Sequence, residues 1–259
     1  MNTLHVFGDS FSEPIEPLVH AGGEPCNRVK YARDYLKSKT STYPIWSELL
    51  STELGYNHVN HAGLMGKKFS QLGQGNSNHS ILYNLNEYCN TFKRDDIVIV
   101  GFTSTNRFPY PLTPPYPNIE SAVFNSLPQM SHDMLSKKDS DLINNITLKR
   151  DDDFYKEELL QLLKSFEVLA DIVGFKLYYW SWVNQINNYK VNDKLLDNRW
   201  IFHQIFNNST DIEYFSKISK LGGYTISEET NYTINDNHFG ETGNKVFSDL
   251  LYDYLKKMI

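Results

Sequence analysis

The sequence predicts an α/β fold, a mostly parallel sheet with helices on both faces. Asp95-Asp96-Ile97-Val98-Ile99-Val100-Gly101-Phe102 holds four β-branched residues in succession, apolar on both faces, as the middle of a parallel sheet requires. Phe154 to Val173 carries Leu159, Leu160, Leu162, Leu163, Phe166, Leu169 and Ile172 at amphipathic helical spacing and stops at Gly174. Strand-like and helix-like segments alternate along the chain, the pattern of parallel strands joined by crossover helices. One domain over residues 1–259 is expected, with a loop-rich insertion at about 107–150.

Leu4-His5-Val6-Phe7 is a short apolar run stopped by Gly8, as in a buried first strand. Residues 13–44 are broken by Pro14, Pro17, Gly22, Gly23, Pro25 and Pro44, with one helical turn expected near Val29–Leu36. Ile45, Trp46, Leu49, Leu50 and Leu54 have helical spacing, and Gly55 ends that helix. Tyr56 to Asn60 reads as a second strand and Asn78 to Tyr88 as a helix. Residues 107–150 are rich in Pro, Asn and Ser without a period, so they read as loop that covers or flanks a site. Phe175 to Trp182 is a fourth strand, and Glu241 to Lys257 closes the chain as a helix.

Charge and cysteine content narrow the function. A formal charge of −6 argues against nucleic-acid binding, which needs clustered Lys and Arg. The pairs Lys67-Lys68 and Lys137-Lys138 suit solvated surface. Two cysteines, Cys26 and Cys89, are too few for a disulfide framework or a cysteine zinc site, and free thiols fit a reducing compartment. No stretch approaches the roughly 18 apolar residues of a membrane helix. Met1 to Phe7 lacks the parts of a secretory leader, so a cytoplasmic location is expected.

Ligand crevices of parallel sheets lie beyond the carboxyl ends of the strands, so catalytic residues are sought there. Gly8-Asp9-Ser10-Phe11-Ser12 follows the first strand directly. A serine at that turn can face the crevice while backbone N–H groups stabilise an oxyanion. Asp9 or Ser10 would equally suit a helix N-cap. Ser12 is the weaker nucleophile candidate, being further from the strand end. A serine hydroxyl needs a base, and His238, in Asn235-Asp236-Asn237-His238-Phe239-Gly240, precedes the last helix with Asp236 close by to orient it. Gly75-Asn76-Ser77-Asn78 offers a glycine N–H and an Asn donor, with Gly63 as a rival glycine. Gly101-Phe102-Thr103-Ser104-Thr105-Asn106-Arg107 places polar groups beyond the strongest strand.

These four blocks together resemble the SGNH (GDSL-type) hydrolase family, in which successive blocks supply Ser, Gly, Asn and His. The resemblance runs from residue 4 to the C-terminus, outside the 107–150 insertion. It implies a flavodoxin-like three-layer α/β/α sandwich with a central, mostly parallel five-stranded sheet. It also implies Ser10, His238 and Asp236 as catalytic residues, although one residue separates Asp236 from His238 where many members have two. The implied oxyanion hole is Ser10, Gly75 and Asn106, with Thr105 or Thr103 as alternatives to Asn106. Asp9, Asn78, Thr103 and Arg107 become possible substrate contacts.

The implied activity is a serine esterase acting on short-chain acyl esters, including O-acetyl groups on carbohydrate, with no metal and no cofactor. The expected partner is a small-molecule or glycan ester, with neither nucleic acid nor membrane. Trp180, Trp182, Tyr110 and Tyr116 could stack on sugar rings, while core packing is the alternative for both tryptophans. An O-acyltransferase on the same scaffold, or a binding protein that retains the fold, are the rival readings.

Overall fold

Four strands join in one all-parallel sheet: β1 (Thr3–Phe7), β2 (Asn57–Asn60), β3 (Ile97–Phe102) and β6 (Lys176–Ser181), in the order β2-β1-β3-β6. The computed structural model describes residues 1–8, 12, 44–61, 78–103, 107–110, 122–125, 137, 141, 145, 152–181, 199–201 and 241–258. Register pairs Leu4 with His58 on one side of β1 and with Ile97 on the other, and Ile97 with Lys176 beyond. A parallel bridge from Tyr179 to Trp200 adds chain outside β6, with Tyr179 N donating to Arg199 O at 2.8 Å.

The helices follow from the residue patterns. Helix α1 (Trp46–Leu54) ends at Gly55, whose φ of 69° is the left-handed conformation glycine adopts most readily; Tyr56 N then reaches back to Ser51 O. At its start Ile45 has no capping side chain, and Glu48 instead turns back to accept from Ile45 N at 2.9 Å. Helix α2 (Asn78–Tyr88) leads through a short 3-10 turn into β3. Helices α3 (Asp152–Val173) and α4 (Glu241–Leu255) match the two amphipathic segments.

Alternation along each strand sorts the side chains into two cores. Leu4, Val6, Ile97, Ile99, Tyr178 and Trp180 face Trp46 and Leu50 of α1 and Phe247, Leu251 and Leu255 of α4. Phe7, Val98, Val100, Phe102, Leu177 and Tyr179 face α2 and α3, through Ile81, Leu85, Leu159, Leu163 and Phe166. Helices therefore cover both faces of the sheet. Asn244 binds α4 to α1 by accepting from Trp46 N at 2.8 Å, inside the first core.

Two elements depart from expectation. The third strand starts at Ile97, because Asp95 takes a φ of 68° and Asp96 closes a turn to Lys93 O. The segment expected to be a loop-rich insertion contains an antiparallel ladder, β4 (Arg107–Tyr110) with β5 (Ala122–Asn125), in which Arg107 pairs in register with Asn125. The expected turn at Val29–Leu36 lies outside the described residues. No helix among the described residues is long and apolar enough to cross a membrane.

Candidate functional site

The chain leaves β1 to form β2 on one side, then crosses to form β3 on the other. That reversal of order falls between the carboxyl ends of β1 and β3, the position where open α/β sheets hold ligands. Gly8 and Thr103 stand at those two ends.

The turn after β1 is tight. A Cβ on Gly8 would lie 2.6 Å from Ser12 Oγ and 2.9 Å from Ser12 Cβ, so Ser12 folds back over Gly8 and only glycine fits beneath it. Ser12 is fully buried, and Asn60 at the end of β2 donates to its carbonyl at 2.6 Å. Burial and the Asn60 bond tie Ser12 to the ends of β1 and β2.

Asn78, the first residue of α2, fixes the end of β3. Thr103 N donates to its Oδ1 at 2.8 Å, and its Nδ2 donates to Thr103 O at 3.0 Å. Both residues are fully buried. The carboxamide is thus committed to backbone, and Asn78 braces the end of β3. Thr103 N is likewise occupied, which leaves only its buried hydroxyl, without a partner among the described residues. Ser181 Oγ donates to Phe102 O at 3.0 Å and joins β6 to the same rim. Trp180 is fully buried between Trp46 and Phe247, ring centroids 6.0 and 4.9 Å away, so it packs the core rather than stacking on sugar.

Beneath this rim runs a buried Asp–His–His chain that sequence reading missed. Asp96 accepts from Thr3 N and Lys93 N, both at 2.8 Å, and its Oδ2 lies 3.5 Å from His5 Nε2. His5 Nδ1 is 3.2 Å from His61 Nε2. With the His5 proton directed to Asp96, His61 donates from Nε2 and keeps a bare Nδ1 lone pair, which has no partner among the described residues. The His61 ring lies flat on Phe7, with centroids 4.3 Å apart, and its carbonyl accepts from Asn84 Nδ2 at 2.8 Å. Burial lowers the His5 pKa against the pull of Asp96. It pushes His61 down to about 4, helped by the neighbouring His5 and His58. Period 2 puts His5 on the same face as Phe7, which was the available signal; its pairing with position 61 has no sequence signature.

Of the residues singled out for chemistry, Asp9, Ser10, Gly63, Gly75, Thr105, Asn106, Asp236 and His238 lie outside the described residues, as do Cys26, Tyr116 and Trp182. Arg107 opens β4. The contacts above join Gly8, Ser12 and Asn60 at the ends of β1 and β2, and Asn78 and Thr103 at the end of β3. Comparison with protein-family models, curated proteins and solved structures finds no match to this chain.

Proposed function

We propose that the chain is a serine ester hydrolase of the SGNH type, with Ser10 as nucleophile, His238 as base and Asp236 as the acid that orients it. The observation that carries this reading is the strand order. Among the described strands the order reverses between β1 and β3, whose ends are Gly8 and Thr103, and Asp9-Ser10 and Ser104 to Asn106 follow those ends in sequence. The fold proposed with it is the flavodoxin-like three-layer sandwich. The order β2-β1-β3-β6 supports this as the first four positions of such a sheet, and the Trp200 bridge supports a fifth.

In this mechanism Ser10 Oγ attacks an ester carbonyl while His238 takes its proton. The oxyanion is held by the N–H groups of Ser10 and Gly75 and the Asn106 amide. His238 then protonates the departing alcohol, and water releases the acyl group. The Asn78–Thr103 brace matters here because it fixes Thr103, from which residues 104–106 continue in sequence. Short acyl esters, O-acetyl sugars among them, are the proposed substrates, and the chemistry needs neither metal nor organic cofactor.

Fluorophosphonate labelling tests the reading. Wild type is expected to react, while Ser10→Ala and His238→Ala do not. An unreactive wild type, or a labelled Ser10→Ala, sinks it. Turnover of p-nitrophenyl acetate over the octanoate ester would support a short acyl site, and transfer to an added sugar hydroxyl in preference to water would identify an acyltransferase.

A further inference from the structure

Glu167 is a carboxylic acid set into the apolar core between α3 and the sheet. It is 4% exposed, and neither carboxyl oxygen has a hydrogen-bond partner in the geometry among the described residues. The Tyr179 hydroxyl of β6 lies against that carboxyl, close enough to influence it as a hydrogen-bond donor although the two miss good bonding geometry. One helical turn further along α3, Asp171 is 67% exposed and pairs with Arg199, whose NH2 group lies 2.7 Å from Oδ1. Arg199 is held at the sheet edge by its own backbone, since Tyr179 N donates to its carbonyl and Trp200 bridges to Tyr179. Its guanidinium touches Asp171 and its charge also acts on Glu167, two carboxylates spaced i, i+4 on one helix, about 6 Å apart along the axis.

We propose that Glu167 is a proton-operated latch. When neutral it lies under α3 while Arg199 pairs with Asp171, and when ionised it draws the Arg199 guanidinium onto itself and fastens residues 199–201 to the sheet edge. The physical asymmetry favours two discrete positions. Asp171 is largely exposed while the Arg199 side chain is mostly covered, so Asp171 can be returned to water at little cost when the guanidinium leaves it. A buried carboxylate without a partner is strongly disfavoured, and a guanidinium is the one nearby group able to bind both its oxygens. The groups that bear on Glu167 are Lys164 and Asp171 on its own helix, Tyr179 on β6, and Arg199. Burial, opposed first by Arg199, raises its pKa to about 7, so the latch changes state near neutrality. Ionisation releases one proton to solvent, and no other reactant is needed. The proposal is independent of ester hydrolysis.

Hydrogen exchange of the full chain, followed by mass spectrometry from about pH 5.5 to 8.5 and corrected for intrinsic rates, tests it. In wild type the peptide spanning 199–201 is expected to gain several-fold protection with rising pH, in a step centred near 7. Glu167→Gln, which mimics the neutral acid, should abolish the step. Asp171→Asn should keep it and move its midpoint lower, because the competing carboxylate and its repulsion are both gone. A wild type without a step, a step that survives Glu167→Gln, or a midpoint raised by Asp171→Asn would each overturn the latch. If Glu167→Gln does not fold, the direction of the Asp171→Asn shift decides.

Discussion

Asn78 and Thr103 hold each other by two reciprocal hydrogen bonds, side chain to backbone, with both residues fully buried. The pair fastens the first turn of α2 to the end of β3. Replacing Asn78 by Ala would strand the N–H and C=O of Thr103 in the core, at about 1–3 kcal/mol for each orphaned group. A total loss of about 2–5 kcal/mol is expected in urea unfolding. Asn78→Asp is the sharper test. It keeps an acceptor for Thr103 N but sets an oxygen against Thr103 O, so it should destabilise at pH 7 about as much as Ala. An Asp variant as stable as wild type would show that the second bond contributes nothing.

Gly101 lies under an indole. A Cβ there would stand 2.7 Å from Trp180 Nε1 and 2.8 Å from Cε2. Gly101→Ala should lose about 1–3 kcal/mol through overpacking. Trp180→Leu removes Nε1, Cε2 and Cζ2, the three atoms that the new methyl approaches, at its own cost in packing against Trp46 and Phe247. The double variant is therefore expected to be more stable than the sum of the two losses by about 1 kcal/mol. Strict additivity would mean that the clash is relieved elsewhere.

Two buried groups give the protein opposing pH dependences. His61 is held down near 4 against an ordinary value of 6.5, so the unfolded chain binds the extra proton between these values and stability falls as the solution is acidified through that window. Glu167 is held up near 7 against an ordinary 4.5. Its contribution is fully present below 4.5 and is lost as pH rises towards 7 and through it. Each shift corresponds to about 3 kcal/mol, so the two nearly offset one another in wild type. Substitution should separate them. Glu167→Gln is expected to lose stability steeply from pH 7 to 4.5. His61→Phe, which retains a ring against Phe7, should lose it from pH 5 to 7.5. Parallel urea-midpoint curves for the two variants would refute this account.

Local pattern made most of this fold readable. Asn78–Tyr88 appears as a helix at its expected bounds, and the apolar run of β3 occupies the sheet interior because β-branched residues fit a strand buried on both faces. The β4–β5 ladder was not readable: each strand is four residues long, and Pro109 within β4 argues against a strand unless it lies at an edge. The Asp96–His5–His61 chain was hidden for another reason. Its members are joined through space across three elements, and their types carry no periodic signal. The same limit applies to the candidate site, where Ser10 and His238 are linked only by the order of motifs and not by any local spacing.

The proposed role of Ser10 can be tested without touching Ser10. Gly8→Ala would drive a methyl into Ser12 Oγ and Cβ, so the turn must open to admit it. Stability should fall by about 1–3 kcal/mol, and fluorophosphonate labelling of Ser10 should be lost well beyond that fraction. Ser12→Gly removes both striking atoms while leaving the carbonyl that accepts from Asn60. The Gly8→Ala/Ser12→Gly double variant should therefore recover labelling, whereas Gly8→Ala/Ser12→Ala should not, because Ser12 Cβ alone already lies 2.9 Å away. Recovery by both would place the fault at the hydroxyl. Recovery by neither would mean that Gly8 acts through its own backbone and not through the space it leaves for Ser12.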